Sequence, residues 1–310
     1  MKVLVSGGAG FIGSHICERL VNEGHEVVCV DNLDGYYSPE VKRRNIGSFD
    51  GDFTFIEGDI RDGVFLKGLV DGESPEYVIH EAAQAGVRAS VADPLKTCEV
   101  NIQGTINVLE AVKESNVRKL VFASSSSVYG RIEYLPFDEE HPKNPISQYG
   151  ASKLACEHYL RLYERFYGIK HTSLRYFTVY GPRIRPDLAI HKFARTALTG
   201  GRLELYGDGS KSRDFTYVSD AVDATLKALK KGGEVYNVGG GARVTVKELA
   251  EKIIELAGGG TISYIKDQMG DVMHTESNTE KARRELCWNP VKDFEEGLRE
   301  TVEWVRSVNL

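Results

Sequence analysis

The feature that most constrains this chain is Gly7-Gly8-Ala9-Gly10-Phe11-Ile12-Gly13, a GxxGxxG spacing set between a short apolar run at 3–6 and a helical pattern from Phe11 to about Asn22. A tight turn after a strand needs Gly7, close approach of backbone to a pyrophosphate favours Gly10, and close packing of helix on strand favours Gly13. The helix start adds unpaired N–H groups and the positive end of a dipole. A second apolar run at 27–30 ends on Asp31. A carboxylate there accepts both hydroxyls of a ribose and repels a 2′-phosphate, so the unit predicts NAD rather than NADP. In isolation GxxGxxG reads first as a structural turn; strand, helix and acid in register favour the cofactor.

Further runs rich in β-branched or aromatic residues follow at 53–56, 77–80, 119–123 and 172–174, separated by segments such as 95–115 and 149–166 that suit helices. This alternation predicts an α/β fold, a Rossmann-type doubly wound parallel sheet covered on both faces. Beyond Arg175 the texture shifts to shorter mixed elements punctuated by Pro182, Pro186 and the glycines at 200–201 and 207–209. The expectation is a cofactor-binding domain over 1–175, to which segments near 215–238 return, and a smaller mixed α/β lobe over most of 176–310.

Composition narrows the function. With 310 residues, 41% hydrophobic and 27% charged, the chain can bury a core unaided. A net charge of −6 leaves no electrostatic footprint for nucleic acid or an anionic membrane, so an anionic ligand must find local cations. No apolar run suits a membrane span or a signal peptide, and folded structure is expected from the first residues. Five scattered cysteines without a CxxC predict neither a metal site nor disulfides and fit a reducing cytoplasm.

Tyr149 and Lys153 stand four apart at the start of a helical segment, on one face. A tyrosine becomes a base at neutral pH only where nearby positive charge favours its phenolate by roughly 4 kcal/mol, and Lys153 beside a nicotinamide cation can supply that. Alone the pair is a common surface accident. Upstream, however, the run ending at Ala123 continues into Ser124-Ser125-Ser126-Ser127-Val128-Tyr129-Gly130, which puts hydroxyls at the carboxyl end of a parallel strand, where ligands of such sheets bind.

Together with His80-Glu81-Ala82-Ala83, Arg213-Asp214-Phe215 and Tyr236-Asn237-Val238-Gly239, these motifs make the chain resemble, over nearly its whole length, the extended short-chain dehydrogenase/reductases of the nucleotide-sugar epimerase and dehydratase branch. The resemblance implies that Ser125, three residues before Val128, works with Tyr149 and Lys153 as the catalytic set. It implies NAD contacts from Gly7, Gly10, Phe11, Ile12, Gly13, Asp31, Asn32, Ile60, Ala82, Ala83 and Gln84. Asp59 matches the position that recognises the adenine edge and reads equally as a surface acid; Asn101 matches a residue on the nicotinamide side or a polar residue inside a helix. His80 is expected to be structural.

Related 4,6-dehydratases carry an acid pair immediately before Val-Tyr-Gly, where this chain has Ser126 and Ser127. Elimination lacks its acid and base, which leaves a reversible redox cycle at one carbon, a 4-epimerisation through a transient 4-keto sugar. The stretches 83–88 and 175–187 are most similar to UDP-glucuronate 4-epimerases, and Thr178 stands where UDP-glucose 4-epimerases carry Asn. A carboxylate on C5 needs a cation and hydroxyl donors, which Arg185 with Thr178 and Ser127 would provide. The 4-keto form of a glucuronate is a β-keto acid prone to lose CO₂, so a rigid clamp on the carboxylate has a second purpose. Arg185 reads equally as a pyrophosphate ligand or a loop arginine.

The resemblance further suggests Arg213 as the diphosphate cation, Arg88 and Ser126 as sugar or phosphate contacts, and Asp271, with Tyr217 and Gln268 more weakly, near the nucleotide. A UDP-glucose/UDP-galactose or N-acetylhexosamine epimerase and a catalytically silent NAD or sugar-nucleotide module stay open beside the UDP-glucuronate reading. A homodimer formed through the helices near 95–115 and 149–166 is expected.

Overall fold

Each apolar run of the first half becomes a strand because both faces of the sheet are covered, so near-continuous Val, Ile and Leu are tolerated along it. The computed structural model describes residues 1–47, 49–266 and 272–308; Gln268 and Asp271 lie outside the described residues. The strands are β1 (Lys2–Ser6), β2 (Glu26–Asp31), β3 (Phe53–Glu57), β4 (Tyr77–His80), β5 (Lys119–Ser125), β6 (His171–Tyr176), β7 (Thr178–Tyr180), β8 (Arg202–Tyr206), β9 (Ser212–Tyr217), β10 (Val235–Val238), β11 (Ala242–Thr245) and β12 (Thr261–Ile265). The helices are α1 (Phe11–Asn22), α2 (Pro39–Ile46), α3 (Gly63–Glu73), α4 (Val87–Ala92), α5 (Pro94–Cys98), α6 (Gly104–Val112), α7 (Gln148–Tyr167), α8 (Ala189–Leu198), α9 (Val218–Lys230), α10 (Val246–Ala257), α11 (Glu280–Leu286) and α12 (Phe294–Ser307).

Seven parallel strands form the main sheet in the order β10-β6-β5-β4-β1-β2-β3. The order reverses between β1 and β4, so the crevice outside their carboxyl ends is the place where such a sheet binds a ligand. One face packs Ile16 and Leu20 of α1 with Ala221, Ala224 and Ala228 of α9. The other packs Leu66 of α3, Val108 and Leu109 of α6 and Leu160 of α7. A smaller region joins β11-β9-β7 and the pair β12-β8 to α8, α10 and α12.

The expected helix over 95–115 is broken: α5 passes through a π turn, Glu99–Gln103, into α6. The wide turn inserts one residue and directs the buried Asn101 inward, and such turns concentrate at functional sites. α7 begins on Ser147, whose hydroxyl accepts the Gly150 N–H at 3.1 Å, and ends on Gly168 at φ 74°. That cap fixes Tyr149 in the first turn and Lys153 one turn further.

Candidate active site

The crevice at the β1/β4 switch is a cleft of about 420 Å³ that runs from Asp31 and Asn32, past the glycine turn, to Tyr149, Thr178 and Arg185. Gly7 has φ +74°, and a Cβ there would lie 2.5 Å from the Ala82 nitrogen. A Cβ on Gly13 would lie 2.3 Å from the Gly7 carbonyl oxygen, so α1 meets the turn at backbone contact. α1 starts on Gly10 without a side-chain cap, which leaves its first N–H groups facing the cleft. Asp31 accepts N–H bonds from Leu33 at 2.8 Å and Ala9 at 3.2 Å. Burial pushes its carboxyl up, opposed by the Lys42 ammonium 3.8 Å away.

Asn32 and Ile60 line this end, but Asp59 does not. Its carboxylate forks onto Arg61 at 3.0 and 2.7 Å and accepts the Asn32 amide at 3.0 Å. The Arg61 guanidinium holds the Asp59 carboxyl down at about 2. Ala82, Ala83 and Gln84 form the middle wall. Asn101 stands behind them, accepting the Gln84 N–H at 2.7 Å and donating to the Ser152 hydroxyl at 2.9 Å, so it fixes the 82–84 loop against α7. His80 is buried between Ser6 at 2.6 Å and Thr105 at 3.0 Å. Burial pushes it down to about 3, the environment of a neutral structural imidazole.

Ser125, Ser126, Ser127, Tyr149 and Lys153 share the cleft. Ser125 Oγ accepts the Ser127 N–H at 3.1 Å, which leaves its own hydrogen for a ligand. Lys153 is buried, donates to the Ala123 carbonyl at 2.6 Å, and its Nζ lies 6.0 Å from the centre of the Tyr149 ring. Ser124 also lines the cleft, and its hydroxyl donates to Glu157 at 2.6 Å. Glu157 receives a fork from Arg175 at 2.9 and 2.7 Å, and Arg175 also donates to the Tyr129 hydroxyl at 3.0 Å. This buried network ties the end of β5 to α7 and β6.

At the far end Thr178 and Arg185 line the same cleft as the serines. A second cavity of about 140 Å³ adjoins it through Val87, Ser126, Ser127 and Thr178, and is bounded by Arg213, Val272 and Thr275. Arg213 Nη1 donates to the Ser212 carbonyl at 2.8 Å. Arg88 is in neither wall; its guanidinium stacks 4.6 Å from the centre of the Tyr206 ring. Tyr217 is also outside both cavities, packed on Tyr180 with its hydroxyl on Glu300, because its ring belongs to the core between β9 and α12.

Several cleft residues escape sequence reasoning. Lys42 lies on the buried face of α2 and Tyr36 and Tyr37 on the loop before it. Glu81 was visible only as part of a motif. Its carboxylate accepts the Tyr176 hydroxyl at 3.0 Å, and burial pushes it up to about 7. An acid closing an apolar strand was the one available signal.

Residues 3–239 match the profile of the NAD dependent epimerase/dehydratase family. The UDP-glucuronate 4-epimerase of Thermodesulfobacterium geofontis is 39% identical over 307 residues, 97% of this chain and 95% of that protein. The crystal structure of UDP-glucuronic acid 4-epimerase from Bacillus cereus, in complex with UDP-glucuronic acid and NAD, superposes with a TM-score of 0.94 at 34% identity, covering 99% of this chain and 100% of the other. UDP-glucose 4-epimerase from Thermotoga maritima, solved with UDP-glucose, gives 0.94 at 37% identity, with 99% of both chains covered.

Proposed function

Because the chain belongs to the NAD-dependent epimerase/dehydratase family, we propose that it is a UDP-sugar 4-epimerase that converts UDP-glucuronate to UDP-galacturonate. The observation that carries this is a single cleft with a glycine cradle and Asp31 at one end, Ser125, Tyr149 and Lys153 in the middle, and Arg185 with Thr178 at the other. The cradle fits NAD: Gly7 and Gly13 let the turn, the 82–84 loop and α1 meet at backbone contact, which sets the uncapped start of α1 at the cleft, and Asp31 is an acceptor for ribose hydroxyls. In this reading Asp31, Asn32 and Ile60 hold the adenosine half, the N–H groups of Phe11 and Ile12 the pyrophosphate, and Ala82 to Gln84 the nicotinamide side. Asp59 and Asn101 act through Asn32 and Gln84.

NAD, when bound, supplies reversible acceptance of a hydride from C4. Tyr149 takes the proton of the C4 hydroxyl and returns it after the sugar has turned its other face. Lys153, held by the Ala123 carbonyl, keeps its ammonium on the Tyr149 side of the cleft, and Ser125 donates its remaining hydrogen to the C4 oxygen. Ser126 and Ser127 provide no acid for elimination. Arg185, Thr178 and Ser127 hold the C5 carboxylate out of the geometry that releases CO₂. Arg213 serves the diphosphate from the adjoining cavity.

The cofactor half is then 1–175 with α9 and β10, and the remainder is the sugar half. Exposed Val91, Leu95, Leu162 and Phe166 on α4, α5 and α7 support a homodimer through this face. Free Cys17, Cys29, Cys98, Cys156 and Cys287 support a reducing cytoplasm. The test is incubation with UDP-glucuronate and with UDP-glucose, without added reductant, read by proton NMR. UDP-galacturonate without a pentose is expected, and Tyr149→Phe should lower turnover by roughly a thousandfold. Formation of UDP-galactose alone would overturn the substrate, and unchanged turnover in the variant would overturn the base.

A further inference from the structure

Arg185 is not a bare cation. Its Nε and Nη2 each donate to one oxygen of Asp187 at 2.9 Å, a side-on fork. Asp187 Oδ2 also accepts the Tyr36 hydroxyl at 3.1 Å, and the Tyr36 ring centre lies 5.8 Å from the guanidinium carbon. Tyr36 is held in turn: its N–H donates to Asp34 at 2.9 Å, and Asp34 pairs with Lys96 at 2.9 Å. Arg185 and Tyr36 line the cleft, whereas Asp187 stands behind them. Burial works against the Asp187 charge, but the Arg185 guanidinium outweighs it and holds the carboxyl below its usual range.

A guanidinium has two forked edges, and Asp187 takes the Nε/Nη2 edge. The Nη1/Nη2 edge is left for a second acceptor. A part-buried arginine without a counter-ion would penalise every state that lacks a substrate carboxylate, including a complex with a neutral sugar. With Asp187 in place the pair is neutral, so an uncharged hydroxymethyl at C5 strands no charge. A substrate carboxylate must conversely share the guanidinium with an acid already seated on it.

We propose that Asp187, anchored by Tyr36, is the resident counter-ion of Arg185 and limits how strongly the site prefers a C5 carboxylate over a neutral C5 substituent. It is a specificity-determining residue that acts through Arg185, and the assignment rests on the carboxylate-binding role given to Arg185 above.

The test compares kcat/KM for UDP-glucuronate and UDP-glucose in the NAD-loaded wild type, Asp187→Asn and Asp187→Glu. Asn keeps the shape and one acceptor without the charge, and the turn itself is closed by the Leu188 N–H on the Arg185 carbonyl at 3.2 Å. The glucuronate-to-glucose ratio should rise about tenfold in Asp187→Asn, mainly through KM, and Asp187→Glu should return it towards wild type. Calorimetric binding of UDP-glucuronate should tighten about tenfold in Asp187→Asn and stay unchanged when the same substitution is made in an Arg185→Met background. An unchanged or reduced ratio, or tightening that persists without Arg185, overturns the proposal. If the wild type converts UDP-glucose alone, the substrate reading fails by itself, and the binding comparison still decides the role of Asp187.

Discussion

Replacing Glu157 with Gln tests whether the ion pair behind the serine run holds that part of the fold together. Arg175 is 0% and Glu157 1% exposed, so neither charge has water as an alternative partner. The Arg175 guanidinium donates to both Glu157 oxygens at 2.9 and 2.7 Å, to Tyr129 at 3.0 Å and to the Glu139 carbonyl at 3.2 Å. Gln keeps the volume and one acceptor, but it turns an NH₂ towards one of the guanidinium N–H groups and removes the only formal counter-charge in that fork. Breaking a buried pair from one side costs about 3–5 kcal/mol, a large part of a typical total stability of ~5–15 kcal/mol. Urea unfolding followed by fluorescence, with Trp288 buried in the core, measures the loss. Arg175→Met should cost a similar amount because it strands the carboxylate. The double variant should cost clearly less than the sum of the two, since it strands neither charge. A loss below about 1 kcal/mol for Glu157→Gln, or strict additivity, would refute the account.

Further substitutions probe the cradle, an exposed helix glycine and the buried pair of titratable neighbours. Gly13→Ala forces a backbone shift at a 2.3 Å contact and should weaken NAD binding by roughly a hundredfold with the circular dichroism intact, whereas Gly68→Ala, on α3 with no atom within 4 Å, should stabilise by about 0.5–1 kcal/mol; equal NAD affinity in Gly13→Ala would remove the cradle from the cofactor site. His80 is pushed down to about 3 and Glu81 up to about 7. The histidine therefore lowers stability as pH falls below ~6.5, where the unfolded chain takes up its proton first, and the glutamate lowers it as pH rises above ~4.3, where the unfolded chain releases its proton first. Glu81→Gln removes only the second dependence, so its stability relative to wild type should grow by about 1.4 kcal/mol per pH unit from ~4.3 towards 7; a pH-independent difference in urea midpoint would refute the shift.

The parts of the molecule legible in sequence are those governed by near neighbours. The glycine turn, the strand at 77–80 and the helix expected over 149–166 follow from periodicity and local chemistry, and the structure reproduces them. The break at Glu99–Gln103 does not, because the reason for it is the Asn101 side chain reaching Gln84 and Ser152, both distant in the chain. The partner of Arg185 is two residues away and was in plain view as Arg-Pro-Asp. What sequence could not give was the Tyr36 hydroxyl, 151 positions from Asp187, which anchors the acid. Arg88 and Tyr217, placed near the site by resemblance, pack on Tyr206 and Tyr180 and line neither cavity.

The seventh strand of the main sheet has a consequence for how the chain matures. β10 closes the side of the sheet next to β6, yet β7, β8, β9, α8 and α9 all precede it in the sequence. On the ribosome, β6 therefore waits with an unpaired row of backbone groups until residue 238 has emerged, and α9 must arrive to cover the apolar surface around Leu174 and Ile79. A nascent chain stopped at the end of β6 leaves that strand as an open edge opposite β3, so the first sheet is completed only by segments of the later sequence.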